Sequence, residues 1–248
     1  MKVALNVNGL KYEASFTEKE INEIVKPLLE KFQEIKNEKD RRIIVFLAAP
    51  PAVGKSTFSI FMERFSKEMN GMKPIQHLSL DGFHYPNEYL NSHSIEMSGK
   101  THELSEIKGM PETFDLESFK DYLDRLKEEN IKWPIYDRQL HDVVMDQVEV
   151  ASDIVIIEGN WLLLDEPGWR DLKEKCDYSI FIQAEEEQLK ERLINRKIKG
   201  GLTPSEALEF YKRSDGKNVK RVMNHQLSSD LVLKLQHSGE LKIIKGEL

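Results

Sequence analysis

The sequence has little cysteine, no long apolar run and no excess of positive charge. Its one cysteine, Cys176, cannot form a disulfide within the chain. Its apolar runs are all shorter than the roughly 20 residues that a membrane-spanning helix needs, and the segment after Met1 lacks the apolar core of a signal peptide. We therefore expect a cytoplasmic protein with no membrane partner.

Charge and composition exclude further classes of protein. The formal net charge of −7 argues against a broad nucleic-acid-binding surface, although local basic clusters are still able to hold phosphate groups. With 248 residues, of which 40% are hydrophobic, the chain is able to bury a sizeable core. We expect one large domain, or a domain with an appendage, and no nucleic-acid partner.

A phosphate-binding loop is the strongest motif in the sequence. The run A-P-P-A-V-G-K-S-T, residues 49–57, follows an apolar segment and precedes apolar residues at helical spacing. In such a loop, backbone N–H groups and the helix N-terminus surround the phosphates, the lysine adds positive charge and the serine offers a hydroxyl to Mg²⁺. The predicted ATP-binding residues are Ala52, Val53, Gly54, Lys55, Ser56 and Thr57.

Two alanines distinguish this loop from the common G-x-x-x-x-G-K-[ST] pattern. Ala49 stands where glycine is usual, and Ala52 places a second Cβ within the loop. We expect negative φ at both positions, where alanine causes no strain, whereas Gly54 is kept where the backbone approaches phosphate. A simple strand-to-helix turn is the alternative, but it leaves the adjacent Lys-Ser-Thr unexplained.

We interpret residues 1–40 as an amino-terminal addition to a nucleotide-binding core that comprises residues 41–248. Loose alternation over residues 2–16 predicts a hairpin with Asn8-Gly9 at its turn. Thr17 and Glu20 form a predicted capping box ahead of apolar residues at helical spacing. The charged stretch 36–42 is interpreted as a linker.

Short apolar segments in the core predict a parallel sheet flanked by helices. They cover residues 76–80, 154–157 and 178–182 and are separated by helical or irregular stretches. Ligands of such sheets gather beyond the carboxyl ends of the strands. Asp81 and Glu158 directly follow the first two segments, so they are the candidate site acids.

The two acids suit different tasks in phosphoryl transfer. Asp81 is the candidate base, because a carboxylate beside an acceptor hydroxyl is able to orient it and take its proton. Glu158 occupies a Walker-B-like position, from which it would hold Mg²⁺ together with Ser56, directly or through water, or position the acceptor. The alternatives are an ordinary turn aspartate beside Gly82 and a turn-stabilising glutamate.

Five segments resemble, in the same order, those of the uridine kinase, pantothenate kinase and phosphoribulokinase superfamily of P-loop small-molecule kinases. Together they cover roughly residues 41–235, and the last most resembles the nucleoside/nucleotide kinase-like branch, which includes proteins described as fructose-transport-system kinases. The segments are A-V-G-K-S-T, D-G-F-H-Y-P-N, K-G-M-P-E-T-F-D (108–115), P-I-Y-D-R (134–138) and E-G-N-W-L-L-L-D-E-P-G-W (158–169).

The resemblance implies a P-loop NTPase-type three-layer α/β sandwich with a central parallel sheet, ATP as donor, Mg²⁺ and a lid over the phosphates. It also implies that Asp81 is the catalytic aspartate and that Tyr136 and His141 contact the acceptor. Arg138 departs from uridine kinases, which tend to have an aromatic residue near this point. A guanidinium favours a carboxylate, phosphate or polyol oxygen instead.

The acceptor residues have simpler interpretations as well. His84 and Tyr85 follow Asp81 and suit a pocket wall, but a lone histidine such as His84 or His141 is often structural. Tyr136 is equally able to pack on the core. Since the histidines lack paired cysteines and the H-E-x-x-H spacing, a zinc site has little support.

Residues 190–221 are rich in basic side chains and suit a lid. Thr203, Pro204 and Glu206 predict a helix start, and the two glycines ahead of it would let the segment swing. Arg196, with Arg192 as a second candidate, would neutralise charge on the transferring phosphoryl group and help to exclude water. A solvated basic helix face is the alternative.

These features predict an ATP-dependent kinase that transfers the γ-phosphoryl group to a hydroxyl of a small polar metabolite, such as a nucleoside, a sugar or a pantothenate-like compound. The alternative is a nucleotide-gated regulatory protein that acts on a protein partner. The hairpin also offers an edge strand for a homodimer. The predicted catalytic residues are Lys55, Asp81 and Arg196, and the predicted acceptor residues are His84, Tyr85, Tyr136, Arg138, His141 and Glu158.

Overall fold

The first element of the fold is an antiparallel ribbon. The computed structural model describes residues 1–7, 10–97 and 99–248. Strand β1 (Lys2–Val7) pairs with β2 (Leu10–Ser15) over their full lengths, as the alternation predicted. The predicted Asn8-Gly9 turn lies outside the described residues.

A reciprocal capping box starts the first helical segment, as predicted. The Thr17 hydroxyl accepts a hydrogen bond from the Glu20 N–H, and the Glu20 carboxylate accepts one from the Thr17 N–H. N–H groups that lack partners within the helix are satisfied in this way. The segment runs two residues into the predicted linker and consists of α1 (Glu18–Glu20), a π-helical turn (Ile21–Val25) and α2 (Lys26–Asn37).

The ribbon and this helical segment pack onto the rest of the chain. The rings of Phe16 and Phe61 stack with 3.8 Å between their centroids. Val25 and Leu28 are fully buried in the apolar cluster that also contains Ile43. Removing residues 1–40 would therefore expose core side chains, although the domain boundary near residue 40 stays a prediction.

Strands that are buried at every position form the centre of the main sheet. All residues of Ile43–Ala48 and of Ile154–Gly159 are buried, which requires cover on both faces and is typical of parallel strands. Alternate residues of the first strand belong to two separate apolar clusters, one on each face. In chain-order numbering, the six strands are β3 (Ile43–Ala48), β4 (Ile75–Ser79), β9 (Ile154–Gly159), β10 (Tyr178–Gln183), β11 (Leu231–Leu235) and β12 (Leu241–Lys245).

The order of this sheet is β12-β11-β10-β3-β9-β4. Five strands are parallel, as predicted, and the edge strand β12 pairs antiparallel with β11. The helices that follow α2 are α3 (Lys55–Glu68), α4 (Asn87–Ser92), α5 (Leu116–Glu128), α6 (Glu186–Lys199), α7 (Pro204–Phe210), a π-helical turn (Tyr211–Asp215) and α8 (Gly216–Asn224). Helices on both faces complete the expected three-layer α/β sandwich, with α2, α3 and α6 against one face and α5 against the other.

Two more antiparallel ribbons lie outside the main sheet. Strand β5 (Ser94–Met97) pairs with β6 (Lys100–Glu103), and β7 (Ile131–Asp137) pairs with β8 (Asp142–Val150). Within the described ranges, no helix has the length and apolar character needed to cross a membrane.

Asp177 anchors the amino-terminal end of β3. Its carboxylate, 2% exposed, accepts hydrogen bonds from the Ile44 N–H, from the Arg41 guanidinium at 2.6 Å and from Lys39. Burial raises the pKa of Asp177, but the hydrogen bonds from Arg41 and Lys39 outweigh this effect and hold the pKa below its usual range. The ionised carboxylate therefore stabilises the fold.

The Asp177→Asn variant should lose about 2–3 kcal/mol of unfolding free energy at neutral pH. Because the folded-state pKa is depressed, this stabilisation is present above the unfolded-state pKa of about 3.9 and disappears as pH falls through the folded-state value. Chemical denaturation at pH 7 and pH 3 should therefore show a gap between the two proteins that shrinks in acid. Asp40→Asn, at an exposed position nearby, is the control, and a gap independent of pH would contradict the assignment.

Candidate active site

The ends of three neighbouring strands bring the predicted motifs together. The phosphate-binding loop follows β3, Glu158 is near the end of β9, and Asp81 follows β4. Because β9 lies between β3 and β4, Glu158 pairs in register with Leu47 on one side and Ser79 on the other. The sheet order thus places the loop and the two acids next to one another.

The phosphate-binding loop differs from expectation at Ala52, whose φ is 65° and not negative. A left-handed conformation costs a residue that has a Cβ about 1–3 kcal/mol, so neighbouring contacts must hold the loop. Nη1 of Arg192 donates to the carbonyl oxygens of Ala52 at 3.4 Å and Val53 at 3.2 Å. Arg192 therefore supports the loop, and its expected place beside the transferring phosphoryl group stays a prediction.

Glu158 joins the loop to the strand that carries Asp81. Its Oε1 accepts hydrogen bonds from Ser56 Oγ at 2.8 Å and Ser79 Oγ at 3.1 Å, and its Oε2 lies 3.8 Å from Lys55 Nζ. The Asp81 N–H in turn donates to Ser79 Oγ at 3.2 Å. One hydrogen-bonded set therefore links the loop with both acids, and Ser79 is a member that the sequence did not reveal.

The oxygen atoms of this set are suited to Mg²⁺. Ser56 and Glu158 offer a hydroxyl and a carboxylate beside the loop, and Mg²⁺ in nucleotide sites commonly has few protein ligands and several waters. Hard oxygen donors of this kind fit the ion. Ser56 and Glu158 are therefore the residues that would hold it.

Close backbone packing fixes the position of Asp81, which lies in a 3-10 turn (Leu80–Phe83) directly after β4. A Cβ on Gly82 would lie 2.2 Å from the Pro134 carbonyl oxygen of β7. A Cβ on Gly159 would lie 2.7 Å from the Cβ of the first residue of the turn. Since neither position has room for a side chain, the turn is held tightly between β7 and β9.

One cavity of about 480 Å³ contains most of the predicted site. Its lining residues come from the loop, from the turn that contains Asp81, from β7 and from α6. The predicted residues that line this space are Ala52, Gly54, Lys55, Ser56, Thr57, Asp81, His84, Tyr136, Arg138 and Arg196.

Four predicted residues do not line the cavity. The Val53 side chain is buried in the core, and Glu158 lies beneath the loop, where it contacts Ser56. The Tyr85 ring stacks on Tyr89 with 4.3 Å between centroids. His141 lies in the turn between β7 and β8, with φ of 54°, and its carbonyl oxygen accepts a hydrogen bond from Lys108. Acceptor contacts by Tyr85 and His141 stay predictions, since neither residue lines this cavity.

His84 and Tyr136 form one wall of the cavity, with 5.6 Å between their ring centroids. Burial lowers the pKa of His84, so its ring is neutral at pH 7. Its Nδ1 donates to the carbonyl oxygen of Asp81 at 2.9 Å, because a carbonyl is able only to accept. The neutral ring consequently has Nε2 as its hydrogen-bond acceptor.

The segment 190–221, for which a lid stays a prediction, lies in α6, α7, the π-helical turn and α8. The helix start at Thr203 is confirmed, since the Glu206 N–H donates to the Thr203 hydroxyl and the Glu206 carboxylate accepts from the Thr203 N–H. Arg196 and Lys197, near the end of α6, both line the cavity. Gly201, between α6 and α7, has φ of 103°, a conformation that favours glycine.

Several lining residues were missed from the sequence. Lys108 and Gly109 belong to the K-G-M-P-E-T-F-D segment, and Asn160 directly follows E-G, so these motifs contained a signal. No local pattern marks Asp215 or Asn218, because only the packing of the π-helical turn and of α8 brings them to the cavity.

Comparison with known proteins identifies the family. No family model matches the chain. The chain is 43% identical over 240 residues to "Uncharacterized protein YggC" of Escherichia coli (strain K12). The aligned residues cover 96% of this chain and 98% of that protein. It is 29% identical over 200 residues to "Putative uridine kinase C227.14" of Schizosaccharomyces pombe. That alignment covers 78% of this chain and 83% of that protein.

A solved structure supports the same assignment. The "putative fructose transport system kinase" from Silicibacter sp. TM1040 is 31% identical, with a TM-score of 0.75, over 84% of this chain and 98% of that chain. Sequence and fold therefore agree with the five motif segments. The chain belongs to the uridine kinase and pantothenate kinase-like superfamily of P-loop kinases, which act on small molecules.

Proposed function

We propose that the protein transfers the γ-phosphoryl group of ATP to a hydroxyl group of a small polar metabolite. The observation that carries the proposal is one cavity lined by the phosphate-binding residues Lys55 and Ser56, by Asp81 and by Arg196. A nucleotide-gated switch needs the loop but has no need of a carboxylate across a pocket from it. The shared cavity therefore favours an enzyme with a second substrate.

The proposed step is an in-line phosphoryl transfer. The acceptor oxygen forms a bond to the γ-phosphorus while the bond between that phosphorus and the β–γ bridging oxygen breaks. The electron pair of the broken bond leaves with ADP, and the acceptor proton passes to the Asp81 carboxylate. Lys55 and Arg196 stabilise the negative charge of the phosphoryl oxygens. Mg²⁺, when bound by Ser56 and Glu158, supplies further positive charge to the donor phosphates.

The names of the relatives agree with this class of reaction but differ in the acceptor. They mention uridine, pantothenate and fructose transport. The shared chemistry is a hydroxyl group on a small polar compound, which is the level at which we state the proposal.

ADP release measured against a library of hydroxyl metabolites tests this function. We expect ATP consumption to be slow without an acceptor, because the lid excludes water, and to rise strongly with one compound or a small group of related compounds. A phosphorylated product identified by mass spectrometry would complete the assignment. Stimulation by a protein only, with no small acceptor, would overturn it in favour of the nucleotide-gated regulator.

A further inference from the structure

A second cavity, of about 150 Å³, adjoins the phosphate-binding loop, and we call it the side cavity. Gly54 and Thr57 line both the side cavity and the larger cavity, so the two spaces adjoin at these residues. Arg192 lines the side cavity and does not line the larger one. A nucleotide whose phosphates occupy the loop therefore has a second space within reach for the rest of the molecule.

The amino-terminal ribbon forms one wall of the side cavity. Ala14 and Ser15, at the end of β2, and Phe16, directly after it, line this space. The Phe16 ring lies 6.5 Å from the ring of Phe58 on α3, measured between centroids, and Phe58 lines the cavity as well. The five motif segments contain none of residues 14–16. This wall is therefore a feature of the chain that the motifs do not include.

The carboxyl-terminal strands form a further wall of the side cavity. Leu235 of β11, Gly239 of the turn and Leu241 of β12 line it. Glu20, which is 6% exposed, joins this wall to the amino-terminal segment. Its Oε1 accepts a hydrogen bond from the Leu241 N–H at 2.9 Å, and its Oε2 accepts one from the Thr17 N–H at 2.9 Å. The carboxylate therefore holds the two ends of the chain together beside the cavity.

The size and lining of the side cavity suit a flat aromatic group. An apolar cavity of about 150 Å³ is able to hold an aromatic ring. Ser15 and Gly239 are exposed, so the cavity is open to the solvent at these residues and has room for a larger ring system. Its apolar lining residues include Ala14, Phe16, Phe58, Ile182, Leu235 and Leu241.

Arg192 adds a positive charge to this lining. Among the described residues that line the side cavity, Arg192 is the one cation and Glu20 is the one carboxylate. Nη1 of Arg192 donates to the carbonyl oxygens of Ala52 and Val53, and no salt bridge within 4.0 Å joins it to another of the described residues. A guanidinium stacks favourably on the face of a heteroaromatic ring. The lining therefore combines apolar contact with a partner for the face of a base.

We propose that the side cavity binds the base of the donor nucleotide, and that the amino-terminal ribbon is in this way a part of the nucleotide site. The base packs against Ala14, Phe16 and Arg192. The phosphates pass Gly54 and Thr57 into the larger cavity. This inference rests on the proposed kinase function, because it takes ATP as the donor. It gives residues 14–16 a role in donor binding in addition to their packing on the core.

Binding calorimetry tests this inference without any acceptor substrate. The ligands are ATP and tripolyphosphate, each with Mg²⁺, because tripolyphosphate has the phosphates but no base. ATP should bind roughly 10-fold to 100-fold more tightly, which is the range expected for the stacking of one base. Equal affinities would overturn the inference and leave phosphate binding by the loop, and with it the proposed function, intact. If neither ligand bound, the proposed function itself would fall.

The Ala14→Ile variant separates binding of the base from binding of the phosphates. A larger side chain at this lining position reduces the space for a ring, so the affinity for ATP should fall roughly 10-fold to 100-fold while that for tripolyphosphate stays the same. Ala4→Ile is the matched control, since Ala4 is exposed on β1 of the same ribbon and does not line the side cavity. An Ala14→Ile variant that folds and binds ATP as tightly as this control would contradict the inference.

Photolabelling of the unmodified protein provides a second test, which does not depend on the folding of a variant. An ATP analogue with an azide on its adenine ring is bound with Mg²⁺ and irradiated, and the labelled peptides are identified by mass spectrometry. The label should fall within residues 14–16 or 235–241, and an excess of ATP should prevent it. A label found only elsewhere in the chain would place the base at another site and overturn the inference.

Discussion

Replacing Asp81 by asparagine is expected to lower the turnover number by roughly 10²–10⁴ while leaving the affinity for ATP nearly unchanged. Asparagine keeps the size of the side chain and is still able to orient a hydroxyl, but it does not take up the acceptor proton. The backbone N–H of residue 81 keeps its hydrogen bond to Ser79 Oγ, so the turn should persist. Steady-state kinetics should show the loss in kcat and little change in the KM for ATP.

Asp146→Asn is the matched control for this variant. Asp146 is exposed on β8, lies outside the cavity and has φ of 59°, a conformation that asparagine tolerates. The turnover number and thermal stability of the Asp146→Asn variant should equal those of the unmodified protein. If Asp81→Asn retained turnover close to that of this control, Asp81 would not be the base.

Replacing Arg196 by glutamine should lower turnover by roughly 10²–10³, which is typical for the loss of one group that stabilises developing charge. The glutamine keeps a polar side chain on α6 but removes the positive charge from the cavity. Arg196 is exposed, and although Asp215 and Asp81 attract its charge, no salt bridge within 4.0 Å joins it to another of the described residues. The free energy of unfolding should therefore stay within about 0.5 kcal/mol.

Arg213→Gln separates a specific contact from the general charge of the lid. Arg213 is exposed, lies in the π-helical turn after α7 and does not line the cavity; its guanidinium is 5.4 Å from the Phe210 ring centroid. The kcat of the Arg213→Gln variant should be almost that of the unmodified protein when it is measured beside the Arg196→Gln variant. Equal losses in the two variants would mean that the lid acts through its net charge and not through Arg196.

Features that depend on neighbours in the chain were predicted well. Both capping boxes, at Thr17 and at Thr203, are present because a hydroxyl and a glutamate three residues apart meet within one helical turn. The strands β3 and β9 were recognisable because continuous apolar runs of this length are buried on both faces of a sheet. The loop between β3 and α3 followed from the same short-range pattern.

Features that depend on distant contacts were predicted poorly. The positive φ of Ala52 is held by Arg192, which is 140 residues away in the chain. His141 was carried over from a motif, but it does not line the cavity, and the contact that only the tertiary structure reveals is the hydrogen bond from Lys108 to its carbonyl oxygen. Periodicity and spacing contain no information about such contacts.

Local sequence patterns were thus sufficient to predict the family, the phosphate-binding loop and the two acids at the strand ends. They were sufficient because the hydrogen bonds and the apolar periodicity involved act between residues that are near neighbours in the chain. The set of residues that line the cavity, in contrast, depends on how β7, β9, α6 and α8 pack together. Asn160 and Asn218 are 58 residues apart in sequence, yet both end in the same cavity with unpaired oxygens. The burial that leaves those oxygens without donors in the described part of the chain is a property of the packed molecule.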